Sequence, residues 1–138
     1  MALTEVGLVD LLRQLTEAAS GRGGFPVSYK VDGKCTVPPD VQVALYRVAQ
    51  EALNNVLKHS GASEAAVHLA CQADSALLSI SDNGAGFNAE TVSPKHLGLR
   101  IMQERAAGVG ATVKVISTEG RGTQVTVAWP DASRREST

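Results

Sequence analysis

The chain alternates between two patterns of apolar residues, one typical of helices and the other typical of strands. Apolar residues at three- and four-residue steps predict amphipathic helices over three stretches: 3–19, 41–58 and 99–107. Alternating apolar and polar residues predict strands over five stretches: 27–32, 66–71, 76–82, 112–117 and 123–129. Between them, turn-forming residues predict a flexible turn over 20–24 and a long mobile loop over 83–97.

The order of these elements predicts the fold class. Hairpins of strands alternate with single helices, so the strands should form a mixed sheet and not a purely parallel one. We therefore expect an α/β two-layer sandwich, in which a mixed five-stranded sheet is covered on one face by three helices. A chain of 138 residues fits one domain. We expect that domain over residues 1–130 and a polar, disordered tail over 131–138.

Composition and charge exclude several classes of protein. Hydrophobic residues make up 43% and charged residues 20% of the chain, which argues against intrinsic disorder. A formal charge of −1 and 4% aromatic residues argue against a nucleic-acid surface. No apolar run approaches the roughly 20 residues of a membrane helix, and the N-terminus lacks a signal-peptide pattern. Cys35 and Cys71 form no metal-ligand spacing and no disulfide framework, which suits a reducing cytosol. These features predict a cytoplasmic domain.

One edge of the second predicted helix carries three polar side chains suited to phosphate chemistry. At 100° per residue, Glu51, Asn55 and Lys58 project within a fan of roughly 60° beside the apolar stripe. A carboxylate can activate water, an amide oxygen can bind a hard cation, and an ammonium can hold a phosphate. An ordinary solvated helix face contains the same residue types, so the helix alone leaves both interpretations open.

Asp82 is predicted to point inward at the end of the third strand. It shares a strand face with Leu78 and Ile80, because side chains alternate with a period of two. A buried carboxylate needs hydrogen-bond donors. The exocyclic amine of a ligand such as adenine would supply one, and the backbone amides of residues 84–86 would serve equally well. By the same parity the Thr123 hydroxyl points inward, toward adenine, a pocket water or its own strand.

Two glycine-containing segments are further candidates for ligand contact. Gly84 and Gly86 lack a Cβ atom, so the backbone there can approach a ligand closely. Residues 84–89 also fit a loose dinucleotide-binding fingerprint, but that fingerprint has to open a helix, and an irregular loop is predicted instead. Gly98 precedes the third helix, whose free amides and Arg100 would favour an anion; an ordinary glycine turn is the alternative.

Four segments of the chain carry a family resemblance. Residues 50–60 are similar to an N-box, and residues 82–87 are similar to a first glycine box. Residues 97–106 are similar to a second glycine box, and residues 122–123 to a closing segment. In this order and spacing, the segments resemble the ATP-binding, catalytic domain of sensor histidine kinases in the GHKL superfamily. The likeness covers about residues 5–130, and the fold it implies is the GHKL ATPase sandwich.

Details of these boxes indicate a subgroup. Glu51 at the start of the N-box and the run at residues 102–106 are similar to the DesK-like kinases that phosphorylate NarL/LuxR-type response regulators. The chain departs from the family at the second box, which keeps only Gly98 of the usual two glycines.

The resemblance implies a role for each candidate residue. Glu51 would be the general base, and Asn55 would be the ligand of Mg²⁺. Residues 88–97 would form the ATP lid. The implied ATP-binding residues are Asn55, Lys58, His59, Asp82, Gly84, Gly86, His96, Gly98, Leu99 and Thr123.

The resemblance also implies an activity and partners. The domain would bind Mg-ATP and donate the γ-phosphoryl group to a histidine on a separate dimerization domain, which would pass it to a NarL/LuxR-type response regulator. None of the three histidines is followed by an acidic residue, as the accepting histidine of this family is. We therefore expect a fragment, or a solitary ATPase module, that does not autophosphorylate alone. Without a dimerization helix it should be a monomer, and we expect contact with neither nucleic acid nor membrane. Whether the intact kinase is membrane-anchored stays open.

Three other functions compete with this one. An anti-sigma-factor serine protein kinase of the same fold would phosphorylate a partner serine and would be complete at this length. A mechanical ATPase of the gyrase or mismatch-repair kind also carries a glutamate in the N-box, but needs a transducer domain and a longer lid. A non-enzymatic dinucleotide-binding module would need the missing helix after Gly86.

Overall fold

A computed structural model describes residues 7–86 and 97–130. The α-helices are α1 (Leu8–Gly23), α2 (Pro39–Asn55) and α3 (Leu97–Ala107). A π-helical turn, Val56–Ser60, continues α2. The strands are β1 (Val27–Asp32), β2 (Ala65–Gln72), β3 (Ser75–Asp82), β4 (Thr112–Thr118) and β5 (Gly122–Trp129). None of the described helices has the length and apolar character needed to cross a membrane. The predictions for residues 1–6, for most of the 83–97 loop and for the 131–138 tail lie outside the described residues.

The five strands form one mixed sheet in the order β1-β2-β3-β5-β4. β1 runs parallel to β2, with Val27 opposite Ala65. All other neighbouring strands are antiparallel. Two parallel strands need a crossover connection, which α2 supplies. The helices pack on one another, and α2 also contacts β3 and β5. This arrangement confirms the predicted α/β two-layer sandwich.

The core lies between the helices and one face of the sheet. The buried positions of α2 recur at three- and four-residue steps, and every second residue of β2 is buried. Leu12, Leu45, Leu69 and Leu78 have no exposed surface. Burying one such side chain stabilises the fold by about 1.5–3 kcal/mol. The helical and strand periods read from the sequence therefore identify the faces that meet.

The C-terminal end of α1 differs from the prediction. The helix continues through Gly23, and the flexible turn predicted from Ser20 is wrong. Gly24 ends the helix in the left-handed conformation, with φ of 71°, and its amide donates to the Ser20 carbonyl at 3.0 Å. A Cβ on Gly23 would lie 2.7 Å from both Leu57 and Phe25. Close packing against Leu57 and Phe25 thus explains why residue 23 has no side chain, and the left-handed conformation explains Gly24.

The cysteines also differ from the prediction. Cys35 and Cys71 form a disulfide across a sequence separation of 36 residues, with 5.2 Å between their Cα atoms. The interpretation that they belong to no disulfide framework is therefore wrong. The parallel pairing of β1 with β2 carries the residues after Asp32 alongside the end of β2. The pairing of these cysteines could not be predicted from their spacing in the sequence, because the pairing depends on the register of β1 and β2.

Candidate functional site

Asp82 is the best-defined polar group of the candidate site. It ends β3 on the face of the buried residues Leu78 and Ile80, and it is half-buried. Burial raises the pKa of its carboxyl group, whereas hydrogen bonds from the backbone amides of Gly84 and Thr123 act to lower that pKa. The Gly84 amide donates to Oδ1 at 2.8 Å. The inward orientation is as predicted, and the backbone cap that was one of its two explanations is present.

Thr123 lies directly across the strand pair from Asp82. Its side chain is on the face of the buried residues Val125 and Val127, as the strand parity predicts. Its hydroxyl lies 2.8 Å from the Ser117 hydroxyl, and that hydroxyl also donates to the Gly122 carbonyl at 3.3 Å. The two inward polar groups of β3 and β5 therefore sit side by side at one end of the sheet.

Asn83 is a residue of this region for which no individual role was predicted. Its Oδ1 accepts hydrogen bonds from the amides of Ser63 and Glu64 at 2.9 and 3.0 Å. Its Nδ2 donates to the Ser63 hydroxyl at 2.8 Å. The side chain thus ties the end of β3 to the segment before β2. An asparagine before glycine at a strand end was the available signal, since asparagine side chains often bond nearby backbone.

The glycines after Asp82 contact a hairpin turn. Gly86 has φ of 66°, and a Cβ there would overlap the Thr118 carbonyl oxygen. The Gly120 amide donates to the Ala85 carbonyl at 2.6 Å. The close backbone approach expected at Gly86 therefore occurs within the protein, against the turn between β4 and β5. The predicted contacts of Gly84 and Gly86 with a ligand stay predictions.

The polar edge of α2 differs from a regular α-helix at its end. Glu51 and Asn55 are half-buried, and Lys58 is exposed. Glu51 and Asn55 are four residues apart, which puts them on one helix edge about 40° apart. Lys58 lies in the wider π-helical turn, where the step of 100° per residue that underlies the predicted fan does not apply. π-helical turns are often found at functional sites. The His59 side chain lies outside the described residues.

Glu51 also faces an open groove of about 630 Å³ in the helical layer. Its walls come from α1, α2 and α3 and include the arginines Arg22, Arg47 and Arg105. Ile101, an apolar residue of α3, lines this groove and is 39% exposed. The neighbouring edge of α3, which carries Met102 and Ala106, is the one that is buried. Asp82 and Thr123 do not line this groove.

The start of α3 is earlier than predicted. The helix begins at Leu97, so Leu97 is helical where a loop was predicted, and Gly98 lies in the first turn. Leu99 is half-buried against the core, and Arg100 is exposed. His96 and residues 87–96 lie outside the described residues, so the predicted lid and the predicted His96 contact stay predictions.

A comparison with known families decides what this arrangement belongs to. Residues 40–133 match the family of histidine kinase-, DNA gyrase B- and HSP90-like ATPases. The match begins in α2 and includes Glu51, Asn55, Asp82 and Thr123. The chain belongs to this ATPase family.

Individual relatives within the family are sensor kinases. Sensor histidine kinase LiaS of Bacillus subtilis (strain 168) is 38% identical over 125 residues, which are 90% of this chain and 33% of LiaS. Nitrate/nitrite sensor protein NarX of Escherichia coli (strain K12) is 36% identical over 131 residues, which are 94% of this chain and 22% of NarX. The chain therefore spans a third or less of the length of these two relatives.

Solved structures support the fold. Full-length ShkA, solved in complex with AMPPNP, matches at a TM-score of 0.76 and 22% identity over 91% of this chain and 30% of ShkA. These findings confirm the resemblance to histidine kinase ATPase domains and the fold class drawn from it. They give the serine kinase alternative no support over the histidine kinase, and they argue against a dinucleotide-binding module.

Proposed function

We propose that this chain is the ATP-binding catalytic domain of a sensor histidine kinase. It binds Mg-ATP and donates the γ-phosphoryl group to a histidine on a dimerization domain. The observation that carries the proposal is a half-buried carboxylate, Asp82, beside Thr123 at the sheet end in a chain of the ATPase family. The ATP analogue bound to ShkA, a protein of the same fold, supports ATP as the nucleotide.

Asp82 is suited to recognise the adenine base. A half-buried carboxylate gains most from a donor that replaces lost water, and the exocyclic amine of adenine is such a donor. One Asp82 oxygen already accepts from the Gly84 amide at 2.8 Å, which fixes the orientation of the carboxylate. The neighbouring Thr123 hydroxyl can support the base or a bridging water. Since an added N–H donor favours the ionised form, ATP should lower the raised pKa of Asp82.

The edge of α2 is suited to the phosphates. Mg²⁺ prefers oxygen ligands and usually takes one or two from the protein, with the remainder from phosphate and water. Asn55 offers one amide oxygen, and within residues 7–86 and 97–130 no group of three acidic, His or Cys side chains could form a metal cage. Asn55 therefore fits an ion held mainly by ATP, which would neutralise phosphate charge. Lys58 is exposed and can reach a phosphate from the π-helical turn.

Glu51 is the proposed general base. Its carboxylate lines the open groove in the helical layer, where a second domain can reach it. In the transfer step a histidine nitrogen bonds to the γ-phosphorus while the bond to the ADP oxygen breaks. Glu51 would orient that imidazole and take its proton. The protein otherwise acts by position and charge, which is the main requirement of phosphoryl transfer.

The partners and boundaries complete the proposal. The phosphoacceptor is the dimerization domain of the same kinase, and a NarL/LuxR-type response regulator acts downstream. Residues 1–130 form the domain, residues 131–138 are a tail, and the isolated chain is a cytoplasmic monomer. A kinase domain has to face the compartment that holds ATP, which supports the cytoplasmic assignment.

Calorimetric titration with ATP tests the nucleotide site. Asp82→Asn should weaken binding by about 1–3 kcal/mol, or roughly 5- to 150-fold, because a hydrogen bond to a charged group is lost. Asp74→Asn changes an exposed turn aspartate of the same sheet and should leave the affinity unchanged. An Asp82→Asn variant that binds ATP as tightly as the unaltered chain would refute the adenine role.

Magnesium dependence and transfer test the α2 edge. Asn55→Ala should bind ATP alike with and without magnesium, whereas the unaltered chain should bind more tightly with it. Mixing the chain with a histidine-containing dimerization domain and labelled ATP should give phosphohistidine, and Glu51→Gln should slow that transfer by about 10²–10⁴-fold. Transfer to serine instead of histidine would favour the serine kinase.

A further inference from the structure

The disulfide lies far from the candidate site along the sheet. Cys35 is in the irregular segment 33–38 that connects β1 to α2, and Cys71 is one residue from the end of β2. Cys71 pairs with Ala76 at the start of β3, whereas Asp82 is at the opposite end of that strand. The bond therefore ties the segment that leads into α2 to the sheet, at the end remote from Asp82.

Strand pairing and core packing also hold the segments that carry these cysteines. β1 already pairs with β2 through Asp32 and Ala70, so the two chain segments meet without a cross-link. Val37, two residues after Cys35, is buried and anchors the same segment in the core. As free thiols, both cysteines would remain small side chains that tolerate a half-apolar setting. The strand pairing and the packing of Val37 do not involve the bond, so both contacts would remain after it opens.

Small reagents can reach the bond. Cys35 is part-exposed. Cys71 is 7% exposed, but it lines an open depression of about 410 Å³ together with Asp32, Gln72 and Trp129. A disulfide sealed in a core would resist both oxidants and reductants. This one borders solvent on the Cys35 side and a depression on the Cys71 side.

The cellular compartment indicates whether this disulfide is permanent or reversible. This step rests on the proposed function, which assigns the domain to the cytoplasm. Disulfides in that reducing compartment are usually transient and respond to redox state. We propose that Cys35 and Cys71 are a reversible thiol-disulfide pair, oxidised by a peroxide and reduced by a cellular dithiol, which reversibly tethers the start of α2 to the sheet.

The chemistry balances with a peroxide as the named oxidant. The more exposed Cys35 thiolate attacks one oxygen of hydrogen peroxide, and the O–O bond breaks. Cys35 becomes a sulfenic acid, and the departing hydroxide takes up a proton and leaves as water. The Cys71 thiol then attacks that sulfur, the S–O bond breaks, and a second water leaves as the disulfide forms. Two electrons pass from the thiols to the peroxide. A dithiol reverses the reaction by exchange and is itself oxidised to a disulfide.

The expected output is local rigidity and thermal stability. Oxidation closes a 36-residue separation, so it restrains the unfolded chain and should raise Tm by roughly 5–15 °C. Amide exchange in residues 34–37 should slow on oxidation. Since the bond is remote from Asp82, ATP affinity should change less than twofold.

Thiol counting on the 138-residue chain tests the proposal. After reduction, alkylation should label both cysteines, and after peroxide treatment it should label neither, with no dimer formed. Thioredoxin, or glutathione at its cytosolic ratio, should restore both thiols without denaturant. Cys71→Ser should trap a dimedone-reactive sulfenic acid at Cys35, and the double variant Cys35→Ser/Cys71→Ser should lose the redox-dependent change in Tm.

Three outcomes would overturn the proposal. The first is a bond that resists thioredoxin and glutathione until the chain is unfolded, which would make it a fixed structural cross-link. The second is peroxide oxidation that gives sulfinic acid or intermolecular dimers. The third is an equal Tm for the reduced and oxidised chain. None of these measurements uses ATP, so failure here is distinct from failure of the proposed kinase function.

Discussion

The two ends of the sheet are held together in different ways. At the Asp82 end, comprising Asp82, Thr123 and the turns at 83–86 and 119–121, polar side chains and closely approaching backbones make the contacts. The disulfide end comprises Cys35, Cys71 and Trp129. The contacts there are the covalent Cys35–Cys71 bond and a hydrogen bond from the Trp129 ring to the Val109 carbonyl.

The difference indicates at which end of the sheet a ligand can stabilise the protein. A half-buried carboxylate with a raised pKa is a cost to the free protein, which a ligand donor can offset. The described part of the disulfide end contains no comparable inward carboxylate. The features that weaken the Asp82 end in the absence of ligand are therefore those from which the proposed nucleotide would gain most.

The largest effect should come from removing the close backbone approach at the Asp82 end. Gly122 has φ of 97°, and a Cβ there would overlap the Asp82 carbonyl oxygen. Gly122→Ala should lower the free energy of unfolding by about 3 kcal/mol or more, measured by urea denaturation. Gly120→Ala is the matched control, since its φ is 80° but nothing lies within 4 Å. The control should cost about 1–2 kcal/mol, and equal losses would contradict the steric explanation.

A smaller effect should come from Asn83, which ties β3 to the segment before β2. Asn83→Ala removes the acceptor for two backbone amides and should lower the free energy of unfolding by about 1–3 kcal/mol. Asn83→Asp keeps that acceptor and loses only the donor to Ser63, so it should recover most of the loss. If Asn83→Ala and Asn83→Asp unfold at the same urea concentration, the hydrogen bonds from the amides of Ser63 and Glu64 are not what stabilises this end.

Asp82 itself should give a pH dependence of known sign. Its pKa is raised in the folded chain, so the folded state binds the proton more tightly than the unfolded state does. The contribution of Asp82 to stability is therefore fully present below its unfolded pKa of about 4 and is lost as pH rises through the folded value. Asp82→Asn should remove this loss, so the free variant should gain stability relative to the unaltered chain as pH rises. A constant difference across the range, measured by urea unfolding at several pH values, would exclude Asp82 as the cause.

The smallest effect is expected near the disulfide end, from an exposed pair. The His68 ring lies 2.6 Å from the Asp32 carboxylate, and this hydrogen bond holds the pKa of Asp32 below its ordinary value. The stabilisation it gives is present above the unfolded pKa and is lost as pH falls through the folded one. His68→Ala should raise the Asp32 pKa toward its ordinary value in an NMR titration, although Lys30 still acts to lower it, and Tm should change little because the pair is exposed. A large drop in Tm would contradict the expectation that this exposed pair contributes less to stability than the groups at the Asp82 end.

Periodicity predicted the parts of the site that depend on which face a side chain occupies. Asp82 and Thr123 point inward because buried residues two positions away do so, and a period of two is visible in the sequence. The edge shared by Glu51 and Asn55 follows in the same way from a period of 3.6.

Contacts between distant segments were not predictable in this way. The partners of Gly86 and Asn83 come from the β4–β5 turn and the segment before β2, which only the strand order brings near. The same holds for the pairing of Cys35 with Cys71 and for the packing of Leu57 against Gly23. Ile101 shows a second limit of the sequence pattern. An apolar residue beside the apolar stripe of a helix can stay exposed when no other element packs over it.

The contact between Gly86 and the β4–β5 turn has a consequence for protein engineering. The carbonyls of Thr118 and Gly122 occupy the space a side chain at residue 86 would need, and the Gly120 amide bonds Ala85. The two loops are thus one interlocked unit, although more than 30 residues separate them in the chain. A chimera that exchanges this hairpin with that of another member of the ATPase family would have to transplant the loop around residue 86 along with it.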